Sequence, residues 1–259
     1  MRILVTNDDG IHAEGIRELS RALASIGEVI VVAPDRQRSA SGHAITLHKP
    51  LRLERVRMGD LVAYAASGTP SDCVILAIRG ILEETPDLVV SGINGGPNLG
   101  WDVTYSGTVS AAMEGAILGA PAFAISIASN EPNLNYPFAA HFAAHLTRVI
   151  LKHGLLPHTL LNINIPHLPE SQIRGIAFTR LGERRYPGKV AIREDPNGKK
   201  YYWLGGDTPE DILEEGTDVK AIHDHKISIT PLQMDMTSRP LLDRLQSWSL
   251  SSDLDIEGV

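Results

Sequence analysis

Three apolar residues in a row, Ile3-Leu4-Val5, open the chain, too few for a helix and unbroken by polar positions. That is the pattern of a short strand covered on both faces. Ile16, Leu19, Leu23 and Ile26 then recur at helical spacing with Gly27 as a stop, and residues 29–32 form a second apolar run closed by Pro34. Strand, helix and strand in such a short stretch predict a parallel βαβ unit, the beginning of a doubly wound sheet. Thr69-Pro70-Ser71-Asp72 reads as a helix start, with Thr as cap, Pro at the first helical position and Asp three residues after the cap. This helix runs to about residue 80. A buried strand over 88–90, a polar glycine-rich loop over 92–107, a helix over 108–119, a strand over 122–127 and a helix over 138–153 follow.

From residue 160 the pattern changes. Leu160-Leu161-Asn162-Ile163-Asn164-Ile165 and Ile227-Ser228-Ile229-Thr230 alternate like half-covered strands. Asp195-Pro196-Asn197-Gly198 sets a turn between Val190-Ala191-Ile192 and Tyr201-Tyr202-Trp203, which predicts a hairpin. No disordered linker, internal repeat or heptad pattern divides the chain. The expected fold is therefore one α/β domain over 1–259, a mainly parallel sheet flanked by helices with a β-rich C-terminal elaboration.

Composition narrows the partners. The 259 residues carry 24 Lys+Arg against 31 Asp+Glu, a net charge of −7, and with 43% apolar residues they can bury a sizeable core. Neither half is basic: residues 1–130 hold 10 basic and 14 acidic side chains, residues 131–259 hold 14 and 17. A partner with a long nucleic-acid backbone, a duplex above all, is disfavoured, and any phosphate would need a local device to hold it. The single cysteine, Cys73, excludes an intramolecular disulfide framework and a four-cysteine zinc site, and its apolar helical surroundings make it a buried, inert thiol. The N-terminus lacks the pattern of a signal peptide. The longest mostly apolar stretch, 116–128, is interrupted by Gly119 and Pro121 and is too short for a bilayer. A cytoplasmic protein with no membrane partner is the expectation.

In open parallel sheets ligands bind beyond the carboxyl ends of the strands. Asn7-Asp8-Asp9-Gly10, Asp35 to Gly42, and Ser91-Gly92-Ile93-Asn94-Gly95-Gly96 each follow a predicted strand, so all three share one rim. Adjacent carboxylates at a buried strand end repel, and a hard divalent cation removes the conflict. Asp8 and Asp9 would supply its charge, Ser39 and Asn94 neutral oxygens. The same four residues from Asn7 also read as a plain turn with a helix-capping aspartate, and both readings stand at this point. Ser106-Gly107-Thr108 opens a helix and would offer N–H groups and hydroxyls at its positive end, an anion site or simply a capped helix start.

Other signals are set aside. His141 and His145 share a helical face but lack the glutamate of a zinc-protease helix. His223 and His225 read as a surface pair on one side of a strand. Residues 180–200 carry seven basic and three acidic side chains, flanked by Tyr186, Tyr201, Tyr202 and Trp203, and a solvated hairpin with aromatic pairs explains them. Neither a P-loop nor a dinucleotide fingerprint is present.

Asn7-Asp8-Asp9-Gly10, Ala33-Pro34-Asp35 with Arg38-Ser39, Gly68-Thr69-Pro70 and the run from Ser91 through Ala116 together resemble the SurE family of stationary-phase survival nucleotidases. Leu161-Asn162-Ile163-Asn164-Ile165-Pro166, Thr179-Arg180-Leu181-Gly182 and Ser228-Ile229-Thr230-Pro231-Leu232 extend the match over nearly the whole chain. His225-Lys226 departs from the family pattern, which has a small residue or glycine followed by an aromatic. The resemblance implies a Rossmann-like sheet and a metal-dependent phosphomonoesterase acting on nucleoside 5′- and 3′-monophosphates, with polyphosphate as a further substrate in some members. It implies one divalent cation per subunit, Mg²⁺ or Mn²⁺, on Asp8, Asp9, Ser39 and Asn94, with Asp8 and Asp9 as the catalytic pair. Asn98, Ser106, Gly107 and Thr108 would contact the phosphate. It further implies a homodimer or homotetramer that exchanges a C-terminal arm over about 226–259. Apart from the resemblance, a nucleotide-binding module without turnover and a metal-dependent nucleotide-sugar transferase are the competing functions. A phosphatase with an aspartyl nucleophile would carry its second acid two residues on, where Gly10 stands.

Overall fold

The structure, a computed structural model, describes residues 1–188, 190–204 and 209–248. β1 (Arg2–Thr6), α1 (Glu14–Ala24) and β2 (Glu28–Pro34) form the expected βαβ unit, with Ile3 opposite Val29 in parallel register. Successive strand residues serve different cores, which is why the strands read as continuous apolar runs. Ile3 and Val5 pack with Ile16, Leu19 and Leu23 of α1, whereas Leu4 joins a second core on the opposite face.

β3 (Leu53–Met58) and β4 (Leu61–Ala66) make an antiparallel hairpin at one edge of the sheet, β4 running parallel to β2. The hydrophobic pattern does not reveal this hairpin, because Glu54, Arg55 and Arg57 face water on an edge strand. α2 (Pro70–Leu76) starts where the sequence places it. The Thr69 hydroxyl accepts from the Asp72 N–H at 3.1 Å and the Asp72 carboxylate accepts from the Thr69 N–H at 2.8 Å, a reciprocal capping box. A wider helical turn over Ala77–Ile81 completes the element. Cys73 is buried within α2, and burial pushes its thiol well above the ordinary range.

β5 (Leu88–Gly95) outlasts its apolar run. The loop expected from residue 92 begins only after Gly95, the strand continuing past a register shift between Ser91 and Asn94. Asn94 is thereby fixed on a strand end. α3 (Gly107–Ile117), β6 (Ala122–Ile127), α4 (Tyr136–His153) and β7 (Thr159–Ile165) follow as expected, within one or two residues at their ends. α1 and α4 cover one face of the sheet, α2 and α3 the other.

Beyond β7 come β8 (Ile176–Phe178), β9 (Glu183–Arg185), β10 (Ala191–Glu194), β11 (Lys200–Trp203) and β12 (Glu210–Ile212). α5 (Asp218–His223), β13 (Ile227–Gln233) and α6 (Arg239–Gln246) close the described chain. β10 and β11 are the predicted hairpin, Ala191 opposite Trp203, and β9 pairs with β12. His223 and His225 do not share a strand: His223 ends α5, and His225 sits at φ +63° just beyond it. The Lys226 N–H bonds to the Ala221 carbonyl at 2.9 Å and the His225 N–H to the Ile222 carbonyl at 3.0 Å, a Schellman ending. Three residues are too few for alternation to tell a helix end from a strand. Of the segment 226–259, β13 pairs with β7 of its own chain, α6 buries no side chain, and 249–259 lie outside the described residues.

The main sheet runs β3-β4-β2-β1-β5-β6-β7-β13-β8, parallel from β4 through β7. The chain winds outward from β1 to β4, then returns to the other side of β1 as β5. That makes β1 and β5 the switch point, where an open sheet leaves a crevice for a ligand.

Candidate active site

Asn7 closes the turn after β1. Its side chain accepts from the Gly10 N–H at 3.1 Å and donates to the Gly10 carbonyl at 3.0 Å, and α1 starts from Ala13 with no side-chain cap, so neither aspartate caps the helix and both are left to the rim. Asp8, 5% exposed, accepts a hydrogen bond from the Thr108 hydroxyl in the first turn of α3. Its carbonyl accepts from the Arg38 N–H at 2.7 Å, which ties the loop after β2 to the loop after β1. Asp9 accepts a long bond, 3.4 Å, from the Gly95 N–H at the end of β5. The three loops therefore meet as their shared rim required. Gly107 allows the approach of α3: a Cβ there would lie 2.8 Å from the Asp8 Cβ and 2.8 Å from the Ser41 hydroxyl.

Ser39 stands exposed one residue beyond Arg38 and accepts from the Gln37 amide at 2.9 Å. Asn94 is half-buried, and its amide nitrogen donates to the Gly96 carbonyl at 2.8 Å, leaving the oxygen as the atom open to a ligand. Burial pushes the Asp8 carboxyl up to about 6; the Thr108 hydroxyl opposes the shift and the neighbouring Asp9 charge adds to it. Burial also raises Asp9, with the Gly95 N–H working against it. No cationic side chain among the described residues relieves either acid. Nor do those residues hold a group of three or more His, Cys, Asp or Glu fit for a metal. Two carboxylates with neutral hydroxyl and amide oxygens are the donor set of a hard cation that keeps waters for its substrate, so these residues fit Mg²⁺ or Mn²⁺.

The four residues expected to contact phosphate divide. Ser106 caps α3, its hydroxyl accepting from the Val109 N–H at 3.1 Å, and the Thr108 hydroxyl is committed to Asp8. The N–H groups of Gly107 and Thr108 sit at the helix start, where no intrahelical carbonyl reaches them, and that of Thr108 also lies close enough to the Asp8 carboxylate to favour its charged form. Asn98 lies deeper. Its N–H donates to Asn164, its amide to Ser126 at 2.8 Å, and its carbonyl accepts from Asn162 and Asn164. None of these bonds reaches the aspartates or α3. His141 and His145 are exposed on α4, away from the rim. A cavity of about 600 Å³ between α1 and the β3–β4 turn shares no residue with the site.

Residues 3–188 match the family model described as survival protein SurE. The chain belongs to the SurE family. Among its relatives, the 5′-nucleotidase SurE of Geobacter sulfurreducens is 52% identical over 252 residues, covering 97% of this chain and 95% of that protein. The 5′-nucleotidase SurE of Moorella thermoacetica is 54% identical over 240 residues, 92% of each. The crystal structure of the SurE protein from Aquifex aeolicus superposes with a TM-score of 0.83 at 43% identity, covering 95% of this chain and 98% of that one.

Beside the motif residues of this SurE-family chain stand others that sequence reasoning passes over. The Ser41 hydroxyl, next to Gly107, is buried without a hydrogen-bond partner among the described residues. Asp218, fully buried, accepts from the N–H groups of Gly100, Gly182 and Val219 at 2.7–2.8 Å, anchoring the start of the phosphate loop. Arg184 bonds Asp102 at 2.8 Å and Asp211 at 2.7 Å, bracing the same loop. One signal was available: Asn162 and Asn164 alternate on one face of an otherwise apolar strand, and both grip Asn98.

Proposed function

We propose that the chain is a 5′-nucleotidase, a divalent-metal-dependent phosphomonoesterase that cleaves nucleoside 5′-monophosphates to nucleoside and phosphate. In this reading 3′-monophosphates and short polyphosphates are secondary substrates. The observation that carries it is the bond between Asp8 and Thr108, which joins a pair of uncompensated acids to the amide end of α3. One side of that bond attracts a cation and the other an anion, and phosphate monoester hydrolysis needs both. The names of the relatives point the same way.

Asp8, Asp9, Ser39 and Asn94 would hold one Mg²⁺ or Mn²⁺ per subunit. When bound, the cation supplies Lewis-acid polarisation of a phosphoryl oxygen. The chain does the rest. Gly107 and Thr108 N–H groups hold equatorial oxygens as charge spreads over them in the transition state. Thr108 fixes the Asp8 carboxylate, and Asp9, less buried, faces the incoming group. No helix among the described residues is long and apolar enough to cross a membrane. A cytoplasmic site of action and a homo-oligomer exchanging C-terminal segments belong to the same proposal.

Phosphate release from AMP and p-nitrophenyl phosphate, with Mn²⁺, with Mg²⁺ and with chelator, tests it. Release with metal and none with chelator is expected. No release with any divalent metal would leave a binding module, and nucleoside diphosphate freed from a nucleotide sugar would mark a transferase.

A further inference from the structure

A cleft of about 470 Å³ opens beside Asp9 on the α1–α4 side of the sheet. It falls within the range of about 300–1,000 Å³ of small-molecule sites. Asp9 itself forms part of its wall, so an occupant is continuous with anything held at the aspartate pair. Tyr136 is wedged at its base: a Cβ on Gly95 would lie 3.0 Å from its hydroxyl, and one on Gly15 3.0 Å from its ring. The ring is thus a fixed surface. Gln37, whose amide also reaches Ser39, and Asn130, packed beside Gly96, add amides that both donate and accept. Glu14 and Glu131 complete the wall, and neither makes an ion pair with any described residue.

Taken as a nucleotidase, the protein has a phosphate-binding end at α3 and must place the nucleoside somewhere contiguous with it. We propose that this cleft is the nucleoside subsite. Its wall is rich in acceptors and suits an uncharged group rich in donors: the ribose diol against Glu14 and Glu131, the base edge against Gln37 and Asn130, the ring face against Tyr136. The same carboxylates repel a second phosphate, so the cleft selects monophosphates over diphosphates. This inference rests on the nucleotidase reading.

The test compares kcat/KM for AMP, ADP and p-nitrophenyl phosphate, which has no sugar, in the full-length protein with Mn²⁺. Joint replacement of Glu14→Gln and Glu131→Gln raises the ADP-to-AMP ratio about fivefold, the scale of removing two nearby like charges. Asn130→Ala lowers the ratio of AMP to p-nitrophenyl phosphate about fivefold, chiefly through KM, as expected for one lost hydrogen bond to substrate. A purely structural role would move both substrates together and leave that ratio alone. Trp101 and Tyr105, 61% and 68% exposed within the phosphate loop, are the rival platform for the base. Ratios within twofold of wild type, or a selective loss of AMP turnover in Trp101→Ala instead, overturn the cleft while the nucleotidase reading stands. If the wild type releases phosphate from neither ester, that reading falls and the cleft with it.

Discussion

Acids at the end of β1 and acids that brace the C-terminal part meet opposite treatment. Asp102 and Asp211 share Arg184, Asp224 takes Lys220, and Asp218 receives three backbone N–H groups. Asp8 receives the Thr108 hydroxyl with help from its own and the Thr108 N–H, Asp9 receives one long amide bond, and neither takes a cation, so burial still raises both. Acids that hold the fold come with their partners built in, whereas the pair at the switch point is left for a partner from outside. A buried charge without compensation is costly, so the rim stores an unfavourable term that a bound cation cancels.

The largest effect expected is on the compensated side. Asp218→Ala orphans the N–H groups of Gly100 and Gly182 in a buried place and costs about 3–4 kcal/mol, read from the urea midpoint. A loss under about 1 kcal/mol, within the range of an ordinary surface change, would break the contrast. On the other side the sign reverses. Burial raises the Asp8 carboxyl to about 6 in the folded protein from the ordinary 3.8, so the folded protein binds the extra proton between those values. The penalty is present in full above pH 6 and relieved as pH falls toward 4, about 3 kcal/mol at most. Melting of the metal-free protein against an Asp8→Asn control should show that gain on acidification, and saturating Mn²⁺ should remove it. A wild type that loses stability relative to the control as pH falls from 7 to 5 would contradict the uncompensated burial. The smallest effect concerns the turn after α5. His225 holds a left-handed conformation at φ +63° that glycine adopts without a Cβ penalty, so His225→Gly should stabilise by about 1 kcal/mol. An unchanged melting temperature would mean that its side chain repays the strain.

Much of the rim was readable because its loops follow strands buried on both faces, such as Ile3-Leu4-Val5 and Leu88-Val89-Val90. Apolar runs locate those strand ends, and the sheet rule brings the loops together. The reading stopped where pattern and contact part company. β5 carries Ser91 to Asn94 in the sheet though nothing there is patterned as strand, and β3 is an edge whose charges mask its alternation. Asp218 and Asn164 hold the phosphate loop across 118 and 66 residues of chain, a distance over which local propensity has no say. Asn98, which the resemblance names for phosphate, is also held by that support through its N–H, amide nitrogen and carbonyl, contacts across the chain that its own motif does not reveal.

Asp9→Asn bears most directly on the central claim, because it removes one charge from the uncompensated pair without removing a shape. Phosphate release from AMP at saturating Mn²⁺ should fall at least about a hundredfold, the scale of losing a group that acts on transition-state charge, while the melting temperature holds or rises slightly. Turnover within tenfold of wild type would contradict the claim, and a collapsed fold would show that Asp9 is a structural acid like those beside Arg184.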